Sequence, residues 1–376
     1  MTSTTHVTRL HGLDTLRAIA VLAVVLYHLT IFGELPIQLL PVTWHGWMGV
    51  DLFFVLSGYL IGRQLVKPYL RGSRPSLREF YLRRAFRILP AYLVVVALYF
   101  LVPAWRDYPA LPPLWKFLTF TQNIEFTFAT RAFSHAWSLC VEEHFYLVLP
   151  LLVMAMMRKP SLRRTAVLIA AVVLCGVALR WWLIVVRYPE EVYPRVYYPT
   201  YTRLDGLLVG VVLALVEVFR PLWWKRLMQR GHALCFAGLL CVASVVWMFR
   251  NQDMGSNEGP AKWGMIVGFP LLAWGLGMIT ASAMSVNGWL ARVRVPGAQA
   301  VATLAFSLYL THKPVAHFVM VRFPNVAEAH GPISWLLYAV ACFGVAIVLH
   351  FAIERSFMKL RDKTLTERAM RVDPAL

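Results

Sequence analysis

Residues 13–28 read LDTLRAIAVLAVVLYH, and the ten positions between Arg17 and His28 carry no charge. A strand with open edges could not satisfy its backbone in hydrocarbon, so an uncharged apolar run of this kind is read as a membrane helix, which needs about 20 residues to cross ~30 Å. Working outward, comparable blocks bounded by charge, Pro or Gly recur along the chain. They predict ten spans at 14–32, 46–66, 88–104, 135–157, 165–185, 203–219, 232–249, 262–283, 299–321 and 333–354. The composition agrees: 59% of the 376 residues are hydrophobic and 15% charged, against about 25% charged in ordinary soluble domains. The expected fold class is an all-α, polytopic transmembrane bundle of about ten helices.

Orientation follows from the basic residues. With the N-terminus inside, the cytoplasmic segments carry 25 Lys and Arg and the outer loops 7, a bias that places both termini in the cytoplasm. The same bias accounts for the net charge of +18, so no nucleic-acid partner is expected. The chain divides into a cytoplasmic N-terminus (1–13), a membrane domain (14–354) and a basic cytoplasmic tail (355–376), with no separate soluble domain. The N-terminus shows no signal-peptide cleavage pattern, so the first span is expected to be retained. Cys140, Cys175, Cys235, Cys241 and Cys342 lack the spacing of a disulfide framework or a zinc site, and no metal is expected. The outer loops 105–134 and 185–202 are rich in aromatics and Pro, and are expected to cap an outward-facing site.

Ionisable side chains inside spans are costly and mark candidate sites. Arg17 and His28 are eleven residues apart. At ~100° per residue they share a helix face, separated by ~16 Å along the axis; Asp14 lies one turn before Arg17. Glu142 and Glu143 lie in WSLCVEEHFYLVLP (137–150), ~10 Å below the outer end of the fourth span, and neighbours on a helix diverge by ~100°. Only one of them can therefore face a site. Arg83, Arg84 and Arg87 stand at the expected inner mouth of the third span, where a helix N-terminus would favour an anion. Arg203 and Asp205 open the sixth span, either as an ordinary interfacial pair or as part of an acceptor pocket. His312 and Lys313 precede Pro314 in the ninth span, and Asp51 lies in the second beside Ser57–Gly58, a pair that permits close helix approach. By depth, the arginines cluster on the inner side. His28, Asp51, Glu142, Glu143, Asp205 and His312 lie in the middle and outer half, a layout suited to an anionic donor inside and a hydroxyl acceptor outside.

Taken in order, LDTLRAIAVLAVVLYH, GVDLFFVLSGYLI, FYLRRAFRILPAY, WSLCVEEHFYLVLP, TRLDGLLVG and FSLYLTHKPV resemble the motifs of the acyltransferase-3 family of membrane acyltransferases over residues 10–355. The resemblance implies an acyl-CoA-dependent O-acyltransferase of the bacterial inner membrane. It would move an acyl group, usually acetyl, from cytoplasmic acetyl-CoA or another acyl-CoA to a hydroxyl on a cell-envelope carbohydrate, glycoconjugate or other acceptor such as a macrolide. It places Arg17 and His28 in the family's R-x10-H motif, Arg84 and Arg87 in its R-x-x-R motif, and Glu142–Glu143 in its VEE motif. Cys140 and His144 stand where Ser and Gln are more familiar, with no expected loss of chemistry. Some members carry an SGNH hydrolase-like domain after the membrane region. No such domain is expected after residue 355, so transfer is expected to be completed by the chain itself or with a partner; pairing into a homodimer is left open.

On this reading Arg17, Arg83, Arg84 and Arg87 bind the donor. His28 acts as general base or is itself acylated, Glu142 or Glu143 orients it, and Asp51, Arg203, Asp205, His312 and Lys313 shape the acceptor site. The alternative from another class is a proton-coupled transporter whose intramembrane His and Glu relay protons.

Overall fold

The computed structural model describes residues 11–31, 40–249, 262–327 and 329–372. Most of the expected N-terminal segment, much of the outer loop 33–45 and the whole of loop 250–261 fall outside these. Among the described residues every regular element is helical and none is a strand. The long helices are α1 (His11–Ile31), α2 (Met48–Val66), α3 (Leu77–Leu101), α4 (Trp137–Met157), α5 (Leu162–Trp182), α6 (Asp205–Phe219), α7 (Pro221–Met228), α8 (Gly231–Met248), α9 (Phe269–Met284), α10 (Ala298–Arg322), α11 (Pro332–Leu349) and α12 (Arg355–Val372).

Eight of the described helical stretches are long and apolar enough to cross a membrane, or nine if α6 and α7, bent by 113°, count as one. The predicted span 299–321 corresponds to α10, whose 25 residues would reach ~37 Å at 1.5 Å per residue. It does not meet that apolar criterion because it carries the polar residues of the site. It is instead sheltered inside the bundle, with Ser307, Thr311, His312 and Lys313 all buried. α1 packs against α10 and α2, and α2 most extensively against α6. That last approach depends on glycine: a Cβ on Gly58 would fall 2.1 Å from the Leu207 carbonyl oxygen, and one on Gly210 would fall 2.2 Å from that of Val55. α5 is the contrast. Of its residues only Arg180 is buried, as suits a helix that otherwise faces lipid.

One boundary differs from expectation in a way that matters for the site. The third span does not begin near 88. Ser76 caps α3 by accepting the Glu79 N–H at 3.3 Å, and the helix runs from Leu77 through the arginine cluster. Arg83, Arg84 and Arg87 therefore lie two to three turns inside a helix rather than at its mouth. Their backbone N–H groups are taken up within the helix, so the N-terminal dipole does not act there.

Candidate active site

Two cavities open within the bundle, and the R-x10-H helix contributes to both. The inner one, so named after the expected orientation and of about 180 Å³, is lined by Arg17, Ser57, Arg84, Arg87, Glu142 and Tyr146 among apolar side chains. The Arg84 guanidinium lies 5.2 Å from the Tyr146 ring centre, and Tyr146 shares a short hydrogen bond with Ser57. Arginines outnumber carboxylates on this lining, which suits an anion. Arg83 is not part of it. It bends back to Glu79 one turn earlier, with N–O distances of 2.6 and 2.9 Å, so of the expected donor-binding arginines Arg17, Arg84 and Arg87 are brought together and Arg83 is not.

The outer cavity, of about 330 Å³, falls in the usual size range of small-molecule sites. Its wall is aromatic: Tyr27, Trp44, Trp47, Trp137, Tyr197 and Tyr198 surround His28. Loop residues Tyr108, Phe126, Phe128 and Arg131, together with Tyr193, complete it, so segments 105–134 and 185–202 both wall this cavity. Lys313 fastens the first loop: its Nζ is 2.7 Å from Asp107 and 3.0 Å from Ser134 Oγ. Asp107 in turn accepts the backbone N–H of Phe133 at 3.0 Å. Tyr309 lines both cavities. Its hydroxyl is held by Ser138 Oγ at 2.6 Å and by the His135 carbonyl.

The hydrogen bonds around His28 define its tautomer. His312 Nδ1 faces the Leu308 and Tyr309 carbonyls at 3.1 and 2.8 Å, so it must donate, which leaves Nε2 as an acceptor. His28 Nδ1 faces that Nε2 at 3.0 Å and the Val24 carbonyl at 2.9 Å. It too must donate, and the neutral imidazole carries its lone pair on Nε2, toward the cavity that the ring lines. A third imidazole completes the cluster. Pro314 has no N–H to give the Leu310 carbonyl four residues earlier, and His135 Nε2 donates to that carbonyl at 3.2 Å. The three ring centres lie 4.9 to 6.1 Å apart.

The expected carboxylate beside His28 is absent among its described partners; His312 and the Val24 carbonyl hold the ring instead. Glu142 lines the inner cavity with the arginines. Glu143, ~100° round the helix, is not on either lining, and its buried Oε1 has no hydrogen-bond partner. Arg203 and Asp205 do not pair with each other. Arg203 donates to both oxygens of Asp51 at 2.9 Å, while Asp205 takes Arg180 at 2.7 Å. Neither pair lines the outer cavity. The Arg203 guanidinium stacks 3.7 Å from the Phe269 centroid and about 5 Å from those of Tyr197 and Trp137, so it braces the cavity's aromatic wall from behind. Cys140 is buried and bonds the Ala136 carbonyl. His144 bonds Thr200 at 2.8 Å, tying α4 to the second loop. Among the described residues no group of His, Cys, Asp or Glu is arranged to hold a metal ion.

Sequence reasoning missed His135, Tyr309, Arg180 and the aromatic side chains that Tyr27, Trp44, Trp47 and Trp137 add to the wall. Leu310, four residues before Pro314, was a readable signal for a freed carbonyl in need of a donor. Nothing local marks His135 as that donor.

A helical membrane bundle with an arginine-lined cavity on one side of a tyrosine and a histidine-centred aromatic cavity on the other is the class that fold and site define. Residues 10–355 match the family model described as the acyltransferase domain of acyltransferase family 3, and the chain belongs to that family. It is 29% identical to the O-acetyltransferase OatA of Staphylococcus aureus (strain NCTC 8325 / PS 47), over 94% of this chain and 57% of that protein. It is 30% identical to the putative peptidoglycan O-acetyltransferase YrhL of Bacillus subtilis (strain 168), over 93% of this chain and 55% of the relative. A putative O-acetyltransferase, SAR0937, of S. aureus (strain MRSA252) is 28% identical over 95% and 59%. The chain thus spans a little over half the length of these curated relatives. No solved structure matches it.

Proposed function

We propose that this chain is a membrane O-acyltransferase that moves an acetyl group from acetyl-CoA to a carbohydrate hydroxyl. The observation that carries the proposal is the pair of cavities meeting at Tyr309. With both termini in the cytoplasm, the inner cavity faces the cytoplasmic pool of acyl-CoA. Arg17, Arg84 and Arg87 hold the phosphates of the donor, and the thioester arm reaches past Tyr309 toward His28. The aromatic faces of the outer cavity stack on sugar rings, and the relatives named as O-acetyltransferases, one of them as a putative peptidoglycan O-acetyltransferase, support a hydroxyl acceptor of this kind.

In the reaction the neutral His28 Nε2 takes the proton of the acceptor hydroxyl as its oxygen attacks the thioester carbonyl. The C–O bond forms, the C–S bond breaks, and the imidazolium returns its proton to the departing CoA thiolate. Direct transfer needs one step fewer than an acyl-histidine relay. A proton relay alone would not call for the arginine-lined cavity. The test is a comparison by mass of cell-envelope glycans and secreted metabolites from cells with and without the protein. An acetyl ester present only with the protein is the expected result; identical ester profiles would contradict the proposal.

A further inference from the structure

The wall of the outer cavity carries a cation that the chemistry above does not use. Arg131 follows the short turn Phe128–Thr130 and precedes Phe133, whose backbone is left-handed at φ 59°. Its guanidinium lies 3.9 Å from the centre of the Tyr108 ring, its charge acts on the hydroxyl of Tyr198, and it lines the same cavity as His28. Stacking on an aromatic face holds the planar group in place and leaves its N–H edge open for in-plane partners.

No Asp or Glu lines this cavity, and among the described residues the Arg131 side chain has neither a hydrogen bond nor an ion pair. Glu125, the nearest acid in sequence, lines a different pocket and has no ion pair with Arg131, and Asp107 is already committed to Lys313 and to the Phe133 N–H. The cation at the base of the cavity is thus matched, while the one on its wall is half-buried, pre-positioned and uncompensated. A stacked arginine with a free fork is the group best suited to a carboxylate or phosphate.

We infer that Arg131 is an anion subsite: the acceptor presents a carboxylate or phosphate to its guanidinium while the hydroxyl to be acylated lies at His28 Nε2. The inference rests on the reading that the outer cavity holds the acceptor. It narrows that acceptor to acidic sugars or sugar phosphates.

Binding is measured on the purified protein by quenching of tryptophan fluorescence, since Trp44, Trp47 and Trp137 line the cavity. The probes are methyl β-glucoside, methyl β-glucuronide and glucose 6-phosphate. Charge-assisted hydrogen bonds contribute enough for an anionic probe to bind about tenfold or more tightly than the neutral glucoside. Arg131→Gln should remove that preference and leave glucoside affinity unchanged, and Arg131→Lys should retain part of it. Whichever probe shows the preference identifies the anion. Equal affinity for all three, no binding by any, or a preference that survives Arg131→Gln would overturn the inference. Because the readout is binding, it is independent of acyl transfer. Failure of the acyltransferase reading would show instead as no ester formed from labelled acetyl-CoA on any acceptor.

Discussion

His28 is held by two hydrogen-bond acceptors rather than by a charge. The Val24 carbonyl and His312 Nε2 both face its Nδ1, which directs the basic lone pair into the outer cavity without burying a carboxylate beside it. Replacing His312 with Phe keeps a ring of similar size and removes one acceptor. The expected result is a roughly tenfold drop in kcat, the worth of one hydrogen bond, with KM for acetyl-CoA unchanged because the arginine cavity is untouched. Steady-state kinetics in detergent would check this, and a KM effect with constant kcat would contradict it. Asp51 answers to a different force. Converting it to Ala strands Arg203 in an aromatic cage with no counter-charge, which should cost about 3–5 kcal/mol. Thermal unfolding of the purified variant measures that loss; Asp51→Leu with Arg203→Met should recover much of it. At this scale the sequence showed the Arg17–His28 register, because helical periodicity alone sets it. It did not show that Arg203 takes Asp51 and Asp205 takes Arg180, because those partners come together only through packing of α2, α5 and α6.

The helices place these groups through small local irregularities. Pro314 sits inside α10, and the carbonyl it leaves free is the one that holds His135. Pro314→Ala would return that carbonyl to the helix ladder and release His135 Nε2. We expect a protein as stable as the parent or more so, with reduced transfer because the outer cavity loses one of its fixed groups. A fully active variant with unchanged stability would show that the proline has no part in the site. Sequence patterning located α10 to within a residue or two, yet missed the start of α3 by about three turns. The polar stretch before position 88 reads as a loop by hydropathy, whereas the cap at Ser76 and the Glu79–Arg83 pair make it helix. That extension points Arg84 and Arg87 into the bundle and Arg83 out of it.

For the molecule as a whole, the bundle holds an arginine-lined cavity and an aromatic, histidine-lined one that share Tyr309, and on the proposed function each would take one substrate. The membrane fold was evident in the apolar blocks, since lipid imposes their length and composition. The aromatic wall was less evident: its residues come from α1, the turn before α2, α4 and two long loops, and only tertiary structure shows them facing one space. On the proposed function, His28 performs the chemistry while the arginine cavity binds the donor separately. The most direct test is His28→Ala, purified and reconstituted, assayed for acetyl-CoA binding and for transfer of the labelled acetyl group. The expected result is unchanged acetyl-CoA affinity with transfer lower by about 10²–10⁴-fold, the usual contribution of a general base. Near-normal transfer, or loss of acetyl-CoA binding together with transfer, would contradict it.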